Sequence, residues 1–178
     1  MNEEEFQAKA AAVRWLILDV DGVLTDGKVT YAGDGPEIKA FHVRDGLGLR
    51  LWREAGRGAA VITGRESAAV ARRCAELGLA PVSQGARDKA PAFRALLSEI
   101  GASPAQCCVI GDDLPDLPLM LAAGLSVAVA DAAEAALEAA DWIAPLPGGA
   151  GAVRLTVERL LAAQGLWDGV RARYARPA

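Results

Sequence analysis

Histidine occurs once in the 178 residues, at His42. It falls in a stretch read as a hairpin strand without catalytic duty, which excludes Ser–His–Asp chemistry and histidine phosphatases. Cysteine is nearly as sparse. Cys74, Cys107 and Cys108 make an odd number, two of them adjacent in an apolar run, and their spacing fits no zinc pattern. A reduced, cytoplasmic chain is the simplest reading. The net charge of −4 and pI of about 5.1 come without any block of Lys or Arg, so no nucleic-acid surface is expected. Apolar runs such as 59–62 and 124–130 are strand-sized, far short of the roughly 18–20 residues that span a bilayer, and no membrane partner is expected. The opening MNEEEFQAKA has neither the basic start nor the apolar core of a secretory signal.

What remains is an ordinary globular composition, 52% hydrophobic and 24% charged, in a chain of 18.5 kDa. That size supports one domain over residues 1–178, since two cores would each be too small to close well. Short apolar runs alternate with helical ones. Strands are expected at 15–18, 59–62, 80–82, 107–110, 125–129 and 142–144, and helices at 47–55, 66–77, 88–100, 132–140 and 152–163. Gly78 and Gly101 stop two of the helices, while Pro115 and Pro118 suit only the first turn of another. Strands apolar throughout and separated by helices imply a parallel sheet covered on both faces. The fold class is therefore α/β, a three-layer Rossmann-like parallel sheet.

One segment breaks the alternation. Residues 28–30 and 37–42 flank the turn-rich Tyr31-Ala-Gly-Asp-Gly-Pro36 and read as a β-hairpin inserted after the first strand, at about 27–42. A lone hairpin is marginal in water, so Val29, Tyr31, Ile38 and Phe41 must pack either on their own domain or on a partner subunit. The stretch 165–178, with Trp167, Arg171, Arg173, Tyr174 and Arg176, is expected to be a flexible tail. It either frays or folds over an anionic site.

Polar clusters close three of the expected strands: Asp19-Val20-Asp21, Thr63-Gly64-Arg65 and Gly111-Asp112-Asp113. In parallel sheets, ligands bind beyond these carboxyl ends. A single Asp there is often a loop cap, but Asp19 and Asp21 stand i, i+2 before Gly22. Two carboxylates so close repel unless a cation intervenes. A hard divalent ion such as Mg²⁺ accepts carboxylate and carbonyl oxygens together and also binds phosphate, and Asp112 can supply a further carboxylate. Gly22 to Lys28 approaches a nucleotide-binding P-loop, but Val29 occupies the place of its metal-binding Ser or Thr.

The run Asp19-Val-Asp21-Gly-Val-Leu-Thr-Asp26-Gly27 resembles the first motif of the haloacid dehalogenase-like (HAD) phosphohydrolases. Thr63-Gly-Arg, Lys89 and Gly111-Asp112-Asp113-Leu-Pro-Asp116 follow in that family's order, so the resemblance covers about residues 13–163. Val43-Arg44-Asp45-Gly46, Gln84-Gly85 and Gly149-Ala-Gly-Ala-Val-Arg154 resemble one branch, the 3-deoxy-D-manno-octulosonate 8-phosphate (KDO 8-phosphate) phosphatases.

The resemblance implies a HAD-like fold and Mg²⁺-dependent hydrolysis of a sugar phosphate. Asp19 is the implied nucleophile and Asp21 the acid and base. The metal would be held by the side chains of Asp19 and Asp112 and the backbone carbonyl of Asp21. Thr63 and Lys89 would hold the phosphoryl oxygens. Asp113 would orient metal-bound water or Lys89, or merely favour a helix N-terminus; a supporting role for Asp116 is expected. Gly64, Arg65 and Arg73 are candidate substrate contacts, Arg suiting a carboxylate, although Arg73 reads equally as an exposed helix charge. Alone, Thr63 is common turn chemistry and Lys89 an ordinary helix lysine; order and spacing carry both. The motifs describe the phosphate rather than the sugar, so a nonulosonate 9-phosphate or broad sugar-phosphate phosphatase stays open. A phospho-receiver domain does not fit, because there the acidic pair and the phosphorylated Asp stand in the opposite order. The segment between Asp21 and Thr63 is too short for a second core. The resemblance therefore implies a capless homo-oligomer, commonly a tetramer, in which a neighbour's hairpin covers the pocket.

Overall fold

The computed structural model describes residues 1–175. Helix α1 (Glu3–Ala12) opens the chain on a capping box: Asn2 Oδ1 accepts the Glu5 N–H at 2.9 Å, and Glu5 Oε2 accepts the Asn2 N–H at 2.9 Å. Strand β1 (Trp15–Leu18) follows, then the hairpin of β2 (Thr30–Tyr31) and β3 (Glu37–Ile38). The remaining elements alternate: α2 (Val43–Glu54), β4 (Gly58–Ile62), α3 (Ala68–Leu77), β5 (Val82–Ser83), α4 (Lys89–Ile100), β6 (Cys107–Gly111), α5 (Leu117–Ala122), β7 (Leu125–Ala128), α6 (Glu134–Ala139) and β8 (Trp142–Ile143). Helices α7 (Ala152–Ala163) and α8 (Trp167–Tyr174) close the described chain.

Six parallel strands form the sheet in the order β5-β4-β1-β6-β7-β8. Right-handed crossovers put the helices that step from β1 toward β5 on one face and those that step toward β8 on the other. Accordingly α2 packs on α3 and α7 with α1 beside α7, whereas α4, α5 and α6 pack in sequence. Leu16, Ile17, Leu18, Ala60, Val61, Val109 and Ile110 in the central strands are almost wholly buried. This is the layered α/β fold expected, and both faces of the sheet are covered, which is why its strands read as unbroken apolar runs.

Several boundaries differ from expectation. The hairpin is shorter, with only the pairs Thr30–Ile38 and Tyr31–Glu37, because the chain past Ile38 turns inward and His42 already caps α2. Helix α2 starts at Val43 rather than at 47, so Gly46 and Gly48 lie inside it. A Cβ on Gly48 would sit 3.1 Å from Arg154 Cα, so this helix position lets α2 and α7 approach closely. The hairpin divides between the two packing alternatives. Phe41 packs against the core of its own chain, but Val29, Tyr31 and Ile38 are exposed. Residues 167–174, part of the expected flexible tail, form α8, whose Val170 is buried and whose Trp167 ring lies 5.7 Å beneath the Arg154 guanidinium. Arg176 lies outside the described residues. Among the described residues no helix is long and apolar enough to cross a membrane.

Candidate active site

The chain leaves β1 toward β4 and leaves β6 toward β7, in opposite directions, so the two connections diverge at the carboxyl ends of these paired strands. Such a divergence opens a crevice. Asp19 and Asp21 follow β1, Thr63 follows β4, and Asp112 to Asp116 follow β6. Lys89 arrives differently. Asp88 caps α4 by accepting the Ala90 N–H at 3.1 Å, which makes Lys89 the first residue of that helix. Asp19, Asp21, Thr63, Gly64, Arg65, Lys89, Asp112, Asp113 and Asp116 all line one cavity of about 350 Å³.

In its depth the Lys89 ammonium donates to Asp19 Oδ1 at 2.5 Å and to Asp116 Oδ1 at 2.7 Å, and all three side chains are buried. Asp116 Oδ2 also accepts the backbone N–H of Asp112 at 3.1 Å. Asp113 caps the short 3₁₀ turn 114–116, accepting the Leu114 N–H at 2.7 Å. Carboxylate oxygens of Asp19, Asp112 and Asp116 lie within 4.8 Å of one another. One ammonium thus faces three carboxylates. The electrostatic result is large. Burial, with Asp19 and Asp116 alongside, pushes the Asp112 carboxyl up to about 8, and burial raises Asp19 to about 6 against the opposing pull of Lys89. Surplus negative charge on hard oxygens, held out of water, fits a divalent cation such as Mg²⁺.

Gly22 belongs to the same construction. Its φ is +94°, and a Cβ there would stand 2.1 Å from Asp112 Oδ2, so the carboxylate rests directly on the glycine backbone. The loop that carries Asp21 and Gly22 is held from behind. Gly149 N–H donates to Val23 O at 2.9 Å, and a Cβ on Gly148 would lie 1.7 Å from Gly22 O. Asp45 holds that glycine loop at the start of α7, accepting N–H bonds from Arg154 at 2.7 Å and Gly151 at 3.2 Å.

The Asp21 carboxylate is not part of the deep cluster. It pairs with Lys39, and Lys39 pairs with Glu37 at 2.5 Å. Arg65 takes Glu37 at 2.9 Å and stands 3.8 Å from Asp21. Arg73 does not line the cavity; its guanidinium lies 5.8 Å from the Phe41 ring centroid and 3.4 Å from Glu76. Lys39 and Glu37 escaped sequence reasoning because, within a stretch read as hairpin strand, a charged residue normally marks the solvent side.

Residues 75–151 match the family model of haloacid dehalogenase-like hydrolases. The 3-deoxy-D-manno-octulosonate 8-phosphate phosphatase KdsC of Escherichia coli K12 is 47% identical over 161 residues, covering 90% of this chain and 86% of that protein. A crystal structure of a Moraxella catarrhalis 3-deoxy-D-manno-octulosonate 8-phosphate phosphatase, in complex with magnesium, phosphate and KDO, superposes with a TM-score of 0.95 at 40% identity, covering 97% of this chain and 99% of that one. A probable YrbI-family phosphatase of Pseudomonas syringae gives a TM-score of 0.96 at 38% identity, with 99% and 100% covered.

Proposed function

Because the chain belongs to the 3-deoxy-D-manno-octulosonate 8-phosphate phosphatases, within the haloacid dehalogenase-like hydrolases, we propose that its cavity hydrolyses KDO 8-phosphate to KDO and inorganic phosphate. The observation that carries this reading is the convergence of Asp19, Asp112, Asp116 and Lys89 where the connections after β1 and β6 diverge. Asp19 attacks the phosphorus in line; the bond from phosphorus to the sugar oxygen breaks as the aspartyl-phosphate forms. Asp21 gives its proton to the departing oxygen. It then takes a proton from the water that attacks the aspartyl-phosphate, which releases phosphate and restores Asp19.

Thr63 and Lys89 hold the non-bridging oxygens, one through a hydroxyl and the other through its ammonium. Asp116 orients Lys89. Asp113 shapes the turn that follows Asp112. Gly64 and Arg65 stand where the sugar acid would enter. The side chains of Asp19 and Asp112 and the backbone carbonyl of Asp21 would hold Mg²⁺, which supplies positive charge against the phosphate dianion.

The test is phosphate release from KDO 8-phosphate with and without Mg²⁺. Wild type should require the ion, and Asp19→Asn should be inert; normal turnover by that variant overturns the reading. A panel of sugar phosphates then fixes the leaving group. The enzyme works in the cytoplasm as a homotetramer, each hairpin covering a neighbour's pocket. The exposed apolar side chains of Val29, Tyr31 and Ile38 support that assembly. Size-exclusion chromatography with light scattering should find the tetramer, and a fully active monomer would contradict it.

A further inference from the structure

One buried ammonium beside the reacting groups has no part in this scheme. The Lys39 side chain is only 1% exposed, although it follows the short exposed hairpin. Its Nζ meets Asp21 Oδ1 and Glu37 Oε1, and Glu37 Oε2 accepts from Arg65 Nη2 at 2.9 Å. Arg65 Nε, 3.8 Å from Asp21 Oδ2, completes a ring of four alternating charges. Asp21 and Arg65 line the cavity; Lys39 and Glu37 lie behind them. Within the ring only Oδ1 of Asp21 is hydrogen-bonded, since Arg65 stands too far from Oδ2 to bond it. Its Oδ2 is buried and has no hydrogen-bond partner among the described residues.

We propose that Lys39 is a positioning residue for proton transfer to the leaving group: it anchors Asp21 through Oδ1 and leaves Oδ2 toward the sugar oxygen, while Glu37 keeps Lys39 in place. The inference rests on the reading of Asp21 as the acid. An aspartate side chain turns about two bonds, so one fixed oxygen removes most of its freedom. General-acid catalysis requires the proton within hydrogen-bond reach of the departing atom, and it contributes about 10²–10⁴-fold. Lys39 therefore matters in proportion to how much the leaving group needs a proton.

That proportionality separates positioning from general damage. A sugar alkoxide leaves poorly unless protonated, whereas p-nitrophenolate leaves without help. Wild type, Asp21→Asn, Lys39→Met and Lys39→Arg are compared by kcat/KM on KDO 8-phosphate and on p-nitrophenyl phosphate, at saturating Mg²⁺. Asp21→Asn should lose far more activity on the sugar ester than on the aryl ester. Lys39→Met should show the same bias, with a loss of about 10²-fold on the sugar ester and under about 5-fold on the aryl ester. Lys39→Arg should recover most of the sugar-ester activity. Equal losses on the two esters in Lys39→Met, with the bias intact in Asp21→Asn, overturn the role of Lys39 and leave that of Asp21 standing. Absence of bias in Asp21→Asn overturns both. If Lys39→Met does not fold, Glu37→Gln decides in the same way: a smaller loss biased toward the sugar ester supports the proposal, and an unbiased loss overturns it.

Discussion

Lys89 and Lys39 are both buried ammonium groups, each paired with two carboxylates, yet the clusters around them end with different charge. Around Lys89 stand Asp19, Asp112 and Asp116, and among the described residues no other cation pairs with them. Around Lys39 stand Asp21 and Glu37, and Arg65 closes the balance. The first cluster stores surplus negative charge and lifts its carboxyls, Asp112 to about 8. In the second, hydrogen bonds from Lys39 and then Arg65 lower Glu37 instead. Charges that alternate in sign can hold a side chain still without any ligand. A ring short of positive charge is built to receive it.

Breaking the deep cluster should have the largest effects. Asp112→Asn should weaken Mg²⁺ binding by more than about 100-fold, measured by titration calorimetry, with activity falling in step at fixed Mg²⁺. Undiminished affinity would mean that Asp112 holds no ion. Gly22→Ala forces the Asp112 carboxylate to move and strains a left-handed backbone; a loss of about 10–100-fold in Mg²⁺ affinity should follow.

The third prediction concerns pH. The raised carboxyls bind protons more tightly in the folded protein than in the unfolded chain, whose Asp titrates near 3.8. Stability without metal must then fall as pH rises from about 4 through 6 for Asp19 and through 8 for Asp112. Melting curves in chelator should move down over that range, and saturating Mg²⁺ should flatten the trend; a metal-free curve that rises with pH would refute the charge count. The smallest effect belongs to the rim. Glu37→Gln should shift stability by about 1–2 kcal/mol in urea titration, because Arg65 is half exposed and solvent screens that pair, while the Gln carbonyl can still accept from the buried Lys39. A much larger loss would mean that the ring is structural rather than positional.

Much of this site could be read from the chain because its parts sit at ends of apolar runs. Asp19, Thr63 and Asp112 each stop a buried strand, so the sheet itself gathers them. Lys89 was legible through its order after Thr63, and its place in α4 follows from the Asp88 cap. The Asn2–Glu5 capping box announces α1, a helix that strand-and-loop reading passed over. Lys39 and Glu37 carried no comparable signal. Their burial depends on where a two-pair hairpin folds back, and neither alternation nor turn chemistry encodes that. Arg73 shows the converse: a good residue type for an anion, placed by α3 over Phe41.

The backbone contact of Gly148 and Gly149 against the loop after β1 joins segments that lie far apart in the chain. The loop is made long before that support arrives. A nascent polypeptide stalled short of Gly148 already carries every acidic group of the pocket, yet its Asp21 loop has nothing behind it. Competence to hydrolyse is thereby deferred until the segment before α7 has been made, and products truncated before Gly148 should be inactive.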